Sequence, residues 1–138
     1  MINAIQIALS GLNAAARRVE ASASNIANLS TVGSLDPASG SPPYQALTTA
    51  QAAVSGQNGE TLGVRADIIP ASRPFIPSYS PDSPFADSKG LVGTPNVDLA
   101  EEAVNLQLAK TTYQANIKTI ETVNHMEDAL LDIFDRKA

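Results

Sequence analysis

The chain has 138 residues, a formal net charge of −5 and no cysteine. Disulfide frameworks and thiolate metal sites are therefore excluded, and its nine basic residues do not gather into the patch that a nucleic-acid footprint needs. No apolar run approaches the roughly 20 residues required to cross a bilayer, and the six aromatic residues are few for a compact globular core.

The residues that break helices are segregated. All nine prolines fall between Pro37 and Pro95, and Gly11 is the only glycine outside Gly33 to Gly93. The N-terminal segment, residues 1–30, reads as a long helix. Ile2, Ile5, Leu9, Leu12, Ala16, Val19, Ala23 and Ile26 recur at spacings of three and four, the pattern of a coiled-coil seam. A second stripe, Ala4, Ala8, Gly11, Ala15 and Ser22, is made of small residues that allow another backbone to approach. The first sixteen residues carry no charged side chain, whereas a solvated helix surface is normally rich in Lys and Glu. Such an arm expects neighbours. The start also lacks the basic stretch and continuous apolar run of a cleavable signal peptide, so it is expected to remain in place.

Residues 31–96 read as an extended insert with Pro- and Gly-rich loops. Tyr44 to Val54 is compatible with a strand, and Leu62, Val64, Ala66 and Ile68 alternate with polar neighbours. Asn58-Gly59 supplies a turn signal between them, which predicts a β-hairpin. Phe75 to Tyr79 is expected as a short edge strand, since Pro74 and Pro77 cannot donate backbone hydrogen bonds.

Residues 97–138 read as a second long helix. Asp98 is placed as its N-cap, with Glu101 three residues on in the position of a capping box. Leu106, Ala109, Tyr113, Ile120, Val123, Leu130 and Phe134 keep heptad register, with Asn116 as a polar seam residue that would set register. The expected architecture is thus mainly α: long terminal helices paired as a coiled coil, with a small β-containing insert. The assembly seam would comprise Ile2, Ile5, Leu9, Leu12, Val19, Ile26, Leu106, Tyr113, Ile120, Val123, Leu130 and Phe134.

No catalytic set is apparent. His125 is the single histidine, no glycine-rich phosphate loop, nucleophile elbow or zinc spacing occurs, and no cofactor or metal is expected. The Glu127, Asp128, Asp132 and Asp135 run is an acidic helix face of a common kind.

Four segments carry a resemblance. They are Ser24-Asn25-Ile26-Ala27-Asn28, Pro43-Tyr44-Gln45-Ala46, the stretch from Pro84 to Val92 followed by Pro95-Asn96-Val97-Asp98, and Tyr113-Gln114-Ala115-Asn116. In order and spacing they resemble the rod and hook family of flagellar axial proteins, and Pro84 to Asp98 resembles its proximal-rod members in particular. The chain departs from the pattern at Leu29-Ser30-Thr31, at Leu91 and between Val54 and Leu62.

This resemblance implies a non-enzymatic structural subunit of the basal-body rod. It would leave the cytoplasm through the flagellar type III export apparatus and polymerise helically in the periplasm through its terminal helices. There it would transmit torque from rotor to hook. Implied partners are other copies, other rod subunits, and adaptor proteins near the rotor ring and export gate, without nucleic acid or membrane insertion. On the same resemblance Asn25 and Asn28 would end the first helix, and Gln114 and Asn116 would hydrogen-bond between helices or to the insert. Another axial subunit of the family and a secreted helical adaptor are the alternative readings.

Overall fold

A computed structural model describes residues 2–36, 38 and 40–135. Two long helices, α1 (Ile2–Asn28) and α2 (Leu99–Asp135), enclose four strands in the chain: β1 (Leu47–Ser55), β2 (Thr61–Pro70), β3 (Phe75–Tyr79) and β4 (Leu91–Pro95). At 1.5 Å per residue α1 is about 40 Å long and α2 about 55 Å. The side chain of Ile2 and the expected helical residues 136–138 lie outside the described residues.

Local chemistry accounts for the ends of these helices. Asp98 caps α2 as its sequence position predicts: Oδ1 accepts from the Ala100 N–H at 2.8 Å, and its carbonyl accepts from the Glu102 N–H at 2.9 Å. Pro95 lies just upstream, in β4. At the other arm, Asn28 closes α1 by donating from Nδ2 to the Ser24 carbonyl at 2.9 Å, while its own carbonyl accepts from Thr31 N–H at 3.0 Å.

The predicted hairpin is present. β1 and β2 pair antiparallel from Leu47↔Pro70 to Ser55↔Thr61, with an irregularity at Val54/Ser55. Its turn is closed by Gly56 N–H donating to Glu60 O at 2.7 Å, with Gly59 at φ 81°. β3 forms where expected, but its partner is β4, with Phe75↔Pro95 through Tyr79↔Leu91. The strand character of Leu91–Pro95 was not anticipated, because a five-residue segment containing Gly93 and Pro95 has too little pattern to register. The two sheets are separate two-stranded ribbons.

The hairpin lies against α1. Ser10 Oγ donates to the Ile7 carbonyl at 2.6 Å and accepts from the Val64 N–H at 3.0 Å, which stitches β2 to the helix. Gly63 makes that approach possible. A Cβ there would collide with Ser10 Oγ, and its φ of 128° disfavours any other residue.

Two features of the expected architecture are corrected. First, the fold is not mainly α: two antiparallel β-ribbons stand beside the two helices. Second, the helices do not meet through a coiled-coil seam. Such a seam buries its a and d residues, yet Leu9, Val19, Ile26, Tyr113, Leu130 and Phe134 are all exposed. The buried face of α1 is the small one: Ala8, Gly11, Ala14, Ala15, Ala21, Ser22 and Asn25. From α2 only Glu102, Ala109 and Val123 are buried.

The physical reason is proximity. A Cβ on Gly11 would sit 2.5 Å from Asn116 Oδ1, so α2 closes on α1 more tightly than interdigitated Leu and Ile side chains would permit. Gly11 faces Asn116 and Asn25 faces Glu102, and these pairings make the helices antiparallel. Few large side chains contribute to the core, which is completed by Ala46 and Val92.

Candidate assembly surface

Asn25 is the point where the two arms and the insert meet. It lies on the buried face of α1, 2% exposed. Its Oδ1 accepts from the Leu47 N–H at 2.7 Å and from the Tyr44 hydroxyl at 3.1 Å. Its Nδ2 donates to the Leu47 carbonyl at 2.8 Å and to Glu102 Oε1 at 2.5 Å. The amide thus pairs with both backbone groups of the first residue of β1, as a neighbouring strand would, while also binding α2. Tyr44 and Ser24 share a further hydroxyl–hydroxyl hydrogen bond of 2.8 Å. Asn25 therefore does not end the helix, which was its expected role; it latches three elements together, and Asn28 alone performs the terminal task.

The second conspicuous group is Glu102. Its side chain is buried, and while Oε1 accepts from Asn25, Oε2 has no hydrogen-bond partner among the described residues. It borders a polar cavity of about 490 Å³, together with Arg18, Arg73, Asp98 and Glu101. Glu101 was expected to reach back as a capping box. Among the described residues it makes no such bond, and it stands exposed at this cavity instead.

The remaining predicted residues fall into two groups. Ile5, Leu12, Leu106 and Ile120 are half-buried and Val123 is buried, so they help to hold the helices. Leu9, Val19, Ile26, Tyr113, Leu130 and Phe134 are exposed. Among the motif residues Pro95 is buried, Asn28, Val97 and Asn116 are half-buried, and Asn96, Asp98 and Gln114 are exposed. Asn96 donates from Nδ2 to the Arg73 carbonyl at 3.1 Å and so ties the segment before α2 to the link between β2 and β3. Asn116 makes no inter-helix hydrogen bond among the described residues; it donates to Thr112 O within α2 at 2.8 Å and packs against Gly11. Gln114 lines a shallow apolar groove of about 570 Å³ between the helices with Val19, Tyr113 and Ile117.

What sequence reasoning missed was the exposed apolar surface left by this packing. The pairings Gly11–Asn116 and Asn25–Glu102 share one register, which sets the start of α1 level with about residue 125 of α2 at equal rise per residue. Met126, Leu130, Leu131, Ile133 and Phe134 extend past that point, and all are exposed. Their apolar character was legible, but not that α1 stops short of them.

The loop from Pro84 to Gly90 is built differently. Asp87 Oδ1 accepts from the Lys89 N–H at 2.8 Å and the Leu91 N–H at 2.9 Å. The hydrogen bond from Leu91 does most to hold the Asp87 carboxyl below its ordinary pKa; partial desolvation opposes it, and the Lys89 N–H and ammonium charge add to it. Among the described residues no group of His, Asp or Glu is arranged to hold a metal ion, and no helix is long and apolar enough to cross a membrane.

Two unequal helices with an exposed apolar face, latched around a small β insert, define a subunit with surface to share. Residues 5–33 match the family described as "Flagella basal body rod protein", and residues 88–133 match "Flagellar basal body rod FlgEFG protein C-terminal". These segments span most of α1 and α2, with β4 and the last residues of the loop before it. Over 127 residues the chain is 37% identical to the flagellar basal-body rod protein FlgC of Escherichia coli O157:H7, covering 91% of this chain and 92% of that protein. It is 36% identical to the FlgC of Salmonella typhimurium over the same shares, and 30% identical to that of Aquifex aeolicus over 86% of this chain and 85% of the other. The chain belongs to the FlgC family of flagellar basal-body rod proteins. It is a structural protein of the flagellar basal body and not an enzyme.

Proposed function

We propose that this chain is a proximal-rod subunit that polymerises through its two terminal helices, beside copies of itself and other rod subunits, and carries torque from rotor to hook. The observation that carries this reading is the orientation of α1. Its small residues are spent on α2 and the hairpin, while Ile7, Leu9, Val19 and Ile26 remain exposed on a helix with no charge before Arg17. Large apolar side chains left exposed on a helix whose first sixteen residues carry no charge suit contact with other subunits. Interdigitated apolar side chains between subunits would resist sliding under load, because close-packed interiors are poorly compressible.

On this reading the site of action is the periplasmic rod, reached through the flagellar type III export apparatus. Adaptor proteins near the rotor ring and export gate would meet the first copies. The exposed seam Leu9, Val19, Ile26, Tyr113, Leu130 and Phe134, with the end of α2, forms the subunit contacts. Half-buried Leu12 and Ile120 support them from within.

The test is a deletion strain complemented with a tagged copy of the chain. Loss of motility on deletion, recovery on complementation and copurification of the tag with basal bodies would support the reading. Normal motility with the protein free in the medium would refute it in favour of a secreted adaptor.

A further inference from the structure

The strands do not guard their edges alike. A strand at the border of a sheet presents a row of N–H and C=O groups, and proteins blunt it with charge, proline or a covering element. β2 carries Arg65, Asp67 and Pro70, and its Val64 N–H is taken by Ser10. The outer edge of β4 is held by Gly33, which exchanges backbone hydrogen bonds with Gly93 in both directions. Residues opposite each other in an antiparallel pair turn their backbone groups either both inward or both outward. Pro77 lies opposite Gly93 and so faces outward, which leaves the free edge of β3 without its central donor. β1 has none of these devices: it contains no proline, and no charged residue occurs between Asp36 and Glu60.

The hydrogen bonds of Asn25 show which part of β1 is open. Both backbone groups of Leu47 turn away from β2, since they bond the Asn25 amide. The direction alternates along a strand, so Thr49, Gln51 and Ala53 also turn their N–H and C=O groups outward. Val64, the partner of Ala53, has the same phase, because its N–H leaves the ladder for Ser10. Among the described residues no hydrogen bond reaches the backbone of Thr49, Gln51 or Ala53 from outside the hairpin. Gln51 and Ala53 are exposed and Thr49 is half-buried. Asn25 closes this edge at Leu47, and the irregularity at Val54/Ser55 ends it near the turn. What is left is a window from Thr49 to Ala53 with Gln51 at its centre.

We propose that this window pairs with the same window of a second copy of the chain, antiparallel about a two-fold axis through Gln51. Among the described strands no other edge offers an uninterrupted, uncharged row of donors and acceptors to answer it. Full overlap sets Gln51 against Gln51 and Thr49 against Ala53, so that each outward N–H meets an outward C=O. Thr48 then lies against Val54 and Ala50 against Ala52, uncharged side chains small enough for the close approach of pairs without hydrogen bonds. The product is an antiparallel sheet made of both hairpins, with each β2 at its rim, where Arg65 and Asp67 already pair with each other. A lone two-stranded hairpin is marginal in water, and further strands steady it. A two-fold pair is closed, whereas a growing filament adds copies head to tail. The pair is therefore a form of the free chain, independent of the rod-subunit reading, and β1 must be released before a copy enters a filament.

Because the axis passes through Gln51, charge at that position discriminates. Sedimentation of the purified chain over rising concentration should show a monomer–dimer equilibrium. Gln51→Lys and Gln51→Glu each set like charges across the axis and should each weaken the dimer by about fivefold. An equimolar mixture of the two variants should dimerise at least as well as wild type. Gln51→Pro is a second probe: it deletes an outward N–H that the hairpin does not use, so the circular dichroism should stay unchanged while the dimer is lost. A wild-type chain that remains monomeric at about 1 mM would overturn the proposal. Association that every Gln51 variant leaves unchanged would overturn it too, and would belong to the exposed helix faces. Weakening by both charges without recovery in the mixture would refute the two-fold register.

Discussion

Replacing Asn25 with alanine probes the junction on which the fold turns. The substitution removes the acceptor for Leu47 N–H at 2.7 Å and the donors to Leu47 O at 2.8 Å and Glu102 Oε1 at 2.5 Å. Tyr44 keeps its bond to Ser24, so its hydroxyl is not orphaned. Glu102 would then hold a buried carboxyl group with both oxygens unpaired, since Oε2 already lacks a partner among the described residues. Each stranded group costs about 1–3 kcal/mol, with the charged one at the upper end. Water entering from the adjacent cavity recovers part of this, which leaves a loss of about 3–5 kcal/mol. For a domain of this size that is a large share of a total near 5–15 kcal/mol. Urea unfolding of the purified chain, followed by far-UV circular dichroism, would measure it. Asn25→Asp serves as the control: it keeps the acceptor for Leu47 N–H but replaces the donor to Glu102 with a second carboxyl group, so it should also destabilise. A loss below about 1 kcal/mol for Asn25→Ala would refute the latch.

The other predictions address separate features of the fold. Gly11→Ala should destabilise by about 1–2 kcal/mol despite better helix propensity, because its Cβ meets Asn116 at 2.5 Å; adding Asn116→Ala should restore the melting temperature, and failure to do so would place the strain elsewhere. Leu9→Asp, at a residue 48% exposed, should leave the stability of the isolated chain within about 0.5 kcal/mol while abolishing motility; normal swimming would count against the exposed seam. Leu12→Asp and Ile120→Asp should cost both, being half-buried. Asp87 has a lowered folded-state pKa, so the stability it lends the loop is present above its unfolded value and is lost as pH falls through the lower folded value. Amide NMR shifts of Lys89 and Leu91 should follow that acid transition and lose it in Asp87→Asn; an unchanged titration in the variant would exclude Asp87 as its source.

Much of the architecture follows from local signals. The absence of proline from the arms, with Gly11 as their single glycine, marks the helices, Asp98 caps the second, and Asn58-Gly59 with the alternation from Leu62 to Ile68 marks the hairpin. Such signals act over a few residues, so a linear chain displays them. The motifs around Asn25, Pro95 to Asp98 and Tyr113 to Asn116 likewise carried the family resemblance that the relatives then established. The pairing of β3 with β4 was not legible, because a strand's partner is a matter of distant approach and Leu91–Pro95 is too short to announce itself.

The sequence by itself determined that α1 bears both a large apolar stripe and a small-residue stripe, since helical spacing is a property of the chain alone. Only the tertiary structure decided which of them faces inward. Gly11 and the alanines let α2 and the hairpin approach closely, and that contact left Leu9, Val19 and Ile26 outside. The tertiary structure also turned Asn25 from a terminal residue into a latch, because its four partners come from Tyr44, Leu47 and Glu102, as many as 77 positions away. Periodicity shows that a face is apolar; what covers it depends on which other elements of the chain, or of a neighbour, can come close enough.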